Sequence, residues 1–217
     1  IPVVHHPVRE DAGLCWVWLG EAPAPPFPEL PIFGLPEGHV WMTVSRVPCN
    51  WLQGIEAQVD SAHLGTLHSS WIASPDIYAS SDKYLAAQAP TYDCDATPWG
   101  LAAAALRPMP DGSTFYRVSQ YVAPYFSMIP SETLGEGSIF MAVPVDDENH
   151  LFFFGFFATH RIGDDDPRVQ FGVGNGRIVH DDFARFDGGR DNNYGQDREA
   201  MARGHHSGFL DSLLQED

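Results

Sequence analysis

The sequence predicts an α+β fold, in which a curved antiparallel β-sheet carries helices packed on one face in a helix-grip-like arrangement. Segments rich in strand-forming residues recur between residues 83 and 158, separated by turn signals such as Asp111-Gly112; this spacing is typical of an antiparallel meander. Only residues 50–64 carry a long apolar stripe at helical spacing. The 20 glycines and 18 prolines among 217 residues indicate many turns between these elements.

The first elements along the chain are predicted to be a hairpin, a loop and a strand. Residues 3–8 and 13–19 form the hairpin, because aromatic and β-branched residues flank a short polar turn. Residues 22–36 carry six prolines and predict an extended surface loop. Residues 39–47 predict the next strand.

The stretch 50–64 predicts a helix. Its apolar stripe recurs at helical spacing through Trp51, Ile55, Val59 and Ala62. Asn50 is a suitable N-cap for this helix. Gly65 follows and permits the helix to break there.

The second half of the chain predicts mostly strands. The expected strands cover residues 83–89, 99–106, 114–122, 138–145 and 150–158. The last of them is apolar on both faces, so we expect it to be covered on both sides. Residues 161–190 predict a loop, and residues 192–204 predict a short helix that Gly204 ends.

Composition excludes several classes of partner. The formal net charge is −17, which disfavours binding to nucleic acid or to an anionic membrane surface. No apolar run approaches the roughly 18 residues of a transmembrane helix. The three cysteines, Cys15, Cys49 and Cys94, are widely spaced, which argues against a disulfide scaffold and favours a reducing cytoplasm.

The chemistry-bearing residues concentrate in and after the predicted helix. On a continuous helix, Glu56, Asp60 and His63 are spaced i, i+4 and i+7 and share one face. His68 follows five residues after His63, and five helical residues turn by about 500°, which leaves the two rings about 140° apart. The two imidazoles therefore converge only if the helix breaks, which Gly65 permits.

Two imidazoles and one carboxylate form the facial triad of non-haem Fe(II) oxygenases. Asp60 is placed to accept the ring N–H of His63 and to fix its tautomer. Two other functions remain open from these residues. A zinc hydrolase would use the same histidines and a carboxylate in a tetrahedral site with one bound water, and a non-catalytic domain would bind a small ligand without any metal.

The pattern N-W-x8-D-x-x-H-x4-H over residues 50–68 resembles the iron-binding signature of Rieske oxygenase large subunits. It is most similar to the phthalate 4,5-dioxygenase-like branch, which includes aryl-ether demethylases. The resemblance extends over nearly all of the chain. Its further segments are residues 7–20, 123–130, 143–150, 193–199 and 207–217.

The resemblance implies roles for individual residues. His63 and His68 would be iron ligands, and Asp60 would be the catalytic carboxylate that bridges to a Rieske cluster in a neighbouring subunit. The third ligand would be Asp217, with Glu216 as the alternative. Residues 1–20 would end the linkage to a missing N-terminal Rieske domain, and residues 21–217 would form a catalytic domain truncated at its C-terminus.

The resemblance also implies cofactors and partners. The cofactors would be a mononuclear Fe(II), a [2Fe–2S] Rieske cluster in the missing domain, and NAD(P)H acting through a separate reductase. The chain has neither the C-x-H nor the C-x-x-H pair that such a cluster needs, so we expect this piece alone to be inactive.

The partners would be O2, a small aromatic substrate, a ferredoxin or reductase, and further copies of the chain in a trimer or a multiple of it. The reaction would be hydroxylation or oxidative O-demethylation of the aromatic substrate.

The predicted sheet supplies candidates for the substrate pocket. Arg117 could bind a carboxylate in bidentate fashion, although a salt bridge to one of the many acids is the alternative. Gln120 and Phe126 are the other main candidates for substrate binding. Further aromatic and apolar candidates, for which core packing is the alternative, are Phe115, Tyr121, Met128, Phe152 and Phe154.

Overall fold

In the part of the chain that it describes, the computed structural model contains a nine-stranded sheet, a separate two-stranded hairpin and the short α-helices given below. The structure describes residues 5–72, 83–84, 89–131, 133–166, 169, 177–178, 184–185, 190–210 and 216. Within this part of the chain, the predicted α+β fold with an antiparallel sheet is confirmed.

The strands and helices have the following bounds. The strands are β1 Val8–Asp11, β2 Leu14–Val17, β3 Val40–Val47, β4 Thr91–Thr97, β5 Gly100–Pro108, β6 Thr114–Val122, β7 Phe126–Pro130, β8 Gly137–Pro144, β9 His150–Phe157, β10 Arg177–Ile178 and β11 Ala184–Arg185. The helices are α1 Trp51–Val59, α2 Ser69–Ile72 and α3 Arg198–Ala202, with 3-10 turns over His63–Gly65 and Arg190–Gly195.

The large sheet is built mainly from consecutive hairpins. Its strand order is β10-β11-β3-β9-β8-β7-β6-β5-β4, so β4 to β9 follow one another in space as they do along the chain. Strand β3 pairs antiparallel with β9 on the far side, and β11 joins β3 in parallel. β4 is consequently the last strand at one edge of the sheet.

The sheet buries different residues on its two faces, since side chains alternate along each strand. One face, here called the helix face, carries a phenylalanine cluster that packs against Trp71 of α2; its members are Phe140, Phe152, Phe154 and Phe156. The other, the hairpin face, buries Ile139 and Met141 beneath β2 and the proline-rich loop through Trp16 and Ile32. The prediction that β9 is covered on both sides is therefore correct.

Helix α1 lies close against the helix face. The Asn50 side chain caps it by accepting the Leu52 amide at 2.9 Å. Gly54 makes the close approach possible, because a Cβ at this position would lie 2.9 Å from Nε2 of His150 and 3.3 Å from Cβ of Ala142. His150 is itself buried, and its Nδ1 lies 2.9 Å from the carbonyl oxygen of Cys49, just before the helix.

Several predicted elements differ from the structure, and the differences nearest to the two histidines are the following. The predicted helix 50–64 ends at Val59. The expected strand 83–89 lies largely outside the described residues, and residues 83–84 are helical. The sequence analysis missed β4 as a strand, because six of its seven residues are exposed and the segment lacks alternating apolar positions.

No helix in the described ranges is both long enough and apolar enough to cross a membrane. The three cysteines are free thiols.

Replacing Gly54 with alanine tests the contact between helix and sheet. Helix propensity alone favours alanine by about 1 kcal/mol, but the added methyl group would press on His150 and Ala142. We expect Gly54→Ala to lower the free energy of unfolding by about 1–2 kcal/mol in urea denaturation, because overpacking costs more than the propensity gain. The matched control is Gln53→Ala at the exposed neighbouring position. A more stable Gly54→Ala protein would contradict the close approach.

Candidate functional site

Helix α1 ends because the Asp60 carboxylate competes with the helical backbone. Its two oxygens accept the amides of Ala62 at 3.0 Å and His63 at 2.9 Å. Asp60 itself has extended backbone angles, with φ −65° and ψ 132°. Such local side-chain bonds draw the backbone out of a helix. The prediction that Glu56 shares a continuous helical face with Asp60 and His63 is therefore wrong, since the last two lie beyond the end of α1.

The exit from the helix brings the two histidines together. A 3-10 turn runs from His63 to Gly65, and the amide of Leu67 bonds back to the carbonyl of His63 at 2.6 Å. The ring centroids of His63 and His68 are 4.9 Å apart, and the rings cross at 82°. The helix therefore ends before His63, and the rings of His63 and His68 come together. The sequence analysis expected this approach only if the helix breaks.

The Asp60 carboxylate also orients the His63 ring. Its Oδ2 lies 3.1 Å from Nδ1 of His63, and its Oδ1 accepts the hydroxyl of Tyr92 at 2.6 Å. Burial alone would raise the pKa of Asp60, but the hydrogen bonds from Tyr92, Ala62 and His63 outweigh it and lower the pKa to about 2. An ionised carboxylate only accepts, so Nδ1 carries the ring hydrogen and Nε2 keeps a lone pair for a metal.

A second carboxylate orients the His68 ring in the same way. Nδ1 of His68 lies 2.5 Å from Oε2 of Glu216, and both side chains are fully buried. Ser207 donates its hydroxyl to the other oxygen of Glu216 and accepts the amide of Phe209. The pair therefore joins the segment after α1 to the C-terminal part of the chain, and it leaves Nε2 of His68 as the nitrogen for a metal.

The two imidazoles fit the nitrogen half of a metal site. A metal lies about 2 Å from a ligating imidazole nitrogen, so two rings on adjacent positions have centroids about 4.5–5 Å apart. The observed 4.9 Å agrees with this range. Among the described residues, no group of three or more histidine, cysteine, aspartate or glutamate side chains is arranged to hold a metal. Asp217, the favoured third ligand, lies outside the described residues, and Glu216 contacts the ring of His68.

Two buried arginines lie beside this centre. Arg107 of β5 is fully buried and donates to both the hydroxyl and the carbonyl oxygen of Ser61. Arg117 of β6 is 8% exposed and donates to the hydroxyls of Ser61 at 3.3 Å and Ser119 at 3.2 Å. Burial, followed by the neighbouring charge of Arg117, lowers the pKa of Arg107.

The position of Arg117 favours the binding of an anion. Within the described residues its hydrogen bonds reach only serine hydroxyls, and none reaches a carboxylate. Burying a charge without an opposite charge is costly, so such groups mark candidate binding sites. A guanidinium pairs well with a carboxylate through two parallel hydrogen bonds. Because Ser61 directly follows Asp60, an anion at Arg117 would lie next to the segment that carries the histidines.

Aromatic rings border the arginines. The guanidinium of Arg107 lies 5.7 Å from the ring centroid of Tyr84. Tyr84 in turn meets Phe115 edge to face at 5.6 Å, and the Lys83 ammonium lies 5.5 Å from the Phe115 ring. This region of the helix face therefore combines positive charge with aromatic surface, which suits an aromatic acid.

The structure brings only one of the three main predicted pocket residues to the histidines. Arg117 and Phe115 point to the helix face, whereas Gln120 lies on the hairpin face, since neighbouring positions on a strand alternate. Phe126 is also on the hairpin face and stacks on Trp16 at 6.2 Å. Arg117 and Gln120 are three residues apart on one strand, so their side chains lie on opposite faces of the sheet. This spacing could have shown from the sequence that the two residues do not share a site. The sequence analysis also missed Arg107, Ser61 and Tyr92, which become visible only through contacts between the sheet and the segment after α1.

The structure contains a separate cleft that is distant from this centre. Its volume is about 1050 Å³, and it lies between the N-terminal hairpin, residues 35–38 and β3. Its apolar lining includes Val40, Met42 and Phe153, which belong to the hairpin face. The sheet therefore separates this cleft from the histidines.

Comparison with known proteins gives one family and several relatives. Residues 17–215 match the family described as "LigXa C-terminal domain like". The chain is 31% identical to the oxygenase subunit of phthalate 4,5-dioxygenase from Pseudomonas putida, over 93% of this chain and 48% of the relative. It is 31% identical to the oxygenase subunit of 3-chlorobenzoate-3,4-dioxygenase from Comamonas testosteroni, over 71% of this chain and 36% of the relative. The chain thus spans about half the length of these relatives, or less.

Solved structures show the same fold at low sequence identity. Dicamba monooxygenase bound to 3,6-dichlorosalicylic acid matches with a TM-score of 0.52 and 18% identity, over 76% of this chain and 53% of the other. The terminal oxygenase of carbazole 1,9a-dioxygenase from Nocardioides aromaticivorans matches with a TM-score of 0.51 and 18% identity, over 79% of this chain and 54% of the other.

Replacing Ser61 with alanine tests the hydrogen bonding of the arginines. The substitution removes a hydroxyl that accepts from both guanidinium groups. Each guanidinium keeps another acceptor, but the loss of a hydrogen bond from a buried charged donor costs about 1–3 kcal/mol, and we expect Ser61→Ala to lower the free energy of unfolding by that amount in urea denaturation. Thr91→Ala, which removes an exposed hydroxyl, serves as the control. Equal stability of the two variants would show that Ser61 does not satisfy the arginines.

Proposed function

This chain belongs to the LigXa C-terminal-like family of Rieske oxygenase catalytic domains, and from that premise we propose that it binds a mononuclear iron and provides the site for O2-dependent oxidation of a carboxylated aromatic compound, with electrons supplied by a Rieske cluster outside this chain. One observation carries the proposal: His63 and His68 lie 4.9 Å apart between ring centroids, each with its Nδ1 held by a carboxylate. Two histidines prepared in this way are the nitrogen ligands that a facial-triad iron site requires.

His63 and His68 would hold the metal through their Nε2 atoms, and a carboxylate at the C-terminal end of the chain would complete the set. Asp217 remains the proposed third ligand, because the two oxygens of Glu216, the alternative from the sequence, bond to His68 and Ser207 and would orient His68 instead. Iron bound there would supply the activation of O2. Because the Glu216 and His68 side chains are fully buried, the protein would hold the second imidazole in one orientation and keep water from that side of the site.

Asp60 would have a second task besides orienting His63. Its side chain is 39% exposed, whereas the ring of His63 is 21% exposed. An exposed carboxylate bonded to a metal-ligating imidazole is a suitable path for electrons that arrive from another protein surface. We propose that these electrons come from NAD(P)H through a separate reductase or ferredoxin and a [2Fe–2S] Rieske cluster. That cluster would lie in a neighbouring copy within a trimer or a multiple of it.

The domain limits belong to the same proposal. Residues 1–20 would end the linkage to a Rieske domain, and residues 21–217 would belong to the catalytic domain.

The buried arginines would select the substrate. A carboxylate of the substrate would replace the serine hydroxyls as the partner of Arg117, and the neighbouring ring of Phe115 would contact the aromatic part. Three relatives are named for aromatic acids, namely 3-chlorobenzoate, phthalate and phenoxybenzoate. Another relative is a 5,5'-dehydrodivanillate O-demethylase subunit, so we include oxidative O-demethylation beside ring hydroxylation in the proposed reaction class.

Iron binding can be tested directly on this chain. We expect anaerobic addition of Fe(II) and nitric oxide to give a high-spin iron–nitrosyl EPR signal near one per chain. His63→Ala and His68→Ala should each abolish it, because each removes a ligand. His6→Ala, at an exposed position, should leave the signal unchanged.

Two other results would contradict the iron proposal. Tight binding of one zinc ion with no retained iron would favour a zinc hydrolase. The absence of any metal binding, together with unchanged ligand affinity in His63→Ala, would favour a non-catalytic binding domain.

The substrate class can be tested through Arg117. We expect Arg117→Met to weaken phthalate binding about 10- to 100-fold in calorimetry, because a hydrogen-bonded charge pair is worth about 1.5–3 kcal/mol. Arg117→Lys keeps the charge but loses the fork of donors, so it should recover only part of the affinity. Benzamide, which is uncharged, is the control ligand. An equal loss for phthalate and benzamide would show that Arg117 does not recognise the carboxylate.

A further inference from the structure

We propose that Tyr92 is a positioning residue for the metal centre: its hydroxyl fixes the Asp60 carboxylate, and through it the His63 ring, to the edge of the sheet. The inference rests on the proposed metal-binding function. It assigns a role in that function to a residue of β4, a strand that carries none of the proposed ligands.

The direction of the hydrogen bonds follows from the donors present. The Ser61 amide lies 2.7 Å from the Tyr92 hydroxyl oxygen, and an amide N–H can only donate. The oxygen of Tyr92 therefore accepts this bond, and its own hydrogen is directed to Asp60 at 2.6 Å. The Tyr92 hydroxyl therefore bonds both to the side chain of Asp60 and to the backbone amide of Ser61.

Tyr92 differs from the other groups that bond to Asp60. The remaining donors are the amides of Ala62 and His63 and the ring of His63, all within three residues along the chain. Among the described residues, Tyr92 alone reaches the carboxylate from another element. The local donors belong to the same turn as Asp60, so they do not bond the carboxylate to the sheet.

The edge strand provides a firm support for this contact. Tyr92 pairs with Ala105 of β5, and the ladder between β4 and β5 extends over all seven residues of β4. Arg107 of β5 makes an independent tie to Ser61. Loss of the Tyr92 hydroxyl would therefore leave the backbone of this segment attached through Arg107, but the Asp60 carboxylate would keep only the donors within its own turn.

Tyr92→Phe tests the inference, with Co(II) as the probe metal on the full chain. Titration under anaerobic conditions, followed by visible absorbance, gives the Co(II) affinity of each variant. We expect Tyr92→Phe to weaken Co(II) binding about tenfold, the size typical of changes to groups that orient a metal ligand. Tyr116→Phe removes an exposed phenol of β6 and should bind Co(II) like the unmodified chain.

A double-mutant cycle separates action through Asp60 from a general structural effect. Asp60→Ala should also weaken binding, and adding Tyr92→Phe to it should change the affinity less than twofold, because the phenol then has no carboxylate to hold. An unchanged affinity in Tyr92→Phe overturns the inference, as does a tenfold further loss in the Asp60→Ala background. No Co(II) binding by the unmodified chain overturns the metal-binding proposal itself, and the inference with it.

A spectroscopic measurement covers the case in which Asp60→Ala does not fold. Nitrogen NMR of the metal-free Tyr92→Phe protein reports the tautomer of His63 directly. We expect the fixed Nδ1–H form to give way to a mixture of tautomers, whereas Tyr116→Phe keeps the fixed form. Identical His63 signals in Tyr92→Phe and the unmodified chain overturn the inference.

Discussion

The Asp60 carboxylate determines the local structure on which the rest of the candidate site depends. It ends helix α1 by accepting the amides of Ala62 and His63, and it holds Nδ1 of His63. Without these bonds the helix could continue, and the two imidazoles would lie on different sides of it. The same group thus sets the backbone path, the ring orientation and the tautomer of His63. Its pKa of about 2 keeps it ionised for all three roles.

The sheet supports this turn by placing charge on its helix face. Arg107 and Arg117 hold Ser61 from two neighbouring strands, while the hairpin face buries an apolar cluster. A chain with a net charge of −17 therefore contains a locally positive region on the helix face of its sheet. Net charge governs encounters at the surface, whereas the two buried guanidinium groups would govern binding of the proposed ligand beside them. Because the negative charge of the surface and the positive charge of the buried arginines act at different places, the acidic composition is compatible with the proposed acidic ligand.

The sequence was sufficient for the fold class and for the two histidines, because hydrophobic spacing and local motifs are properties of short segments. It failed at the end of α1, where the side-chain bonds of Asp60 outweigh the apolar stripe through Ala62. It also missed β4, whose residues are nearly all exposed. Arg107 and Tyr92 could not be found from the sequence, since their roles arise from contacts 46 and 32 residues away along the chain. The orientation of His68 likewise depends on Glu216, 148 residues further on.

The edge position of β4 has a consequence for how the protein behaves at high concentration. An edge strand presents unpaired backbone groups that can add a strand from another molecule and begin aggregation. β4 carries Asp93 and Asp95 on either side of the exposed Cys94. Two copies that paired through this strand would bring these carboxylates together and repel each other. Within the part of the chain that the structure describes, the strand that supports Tyr92 can thus have an exposed outer edge without becoming a site of fibril growth.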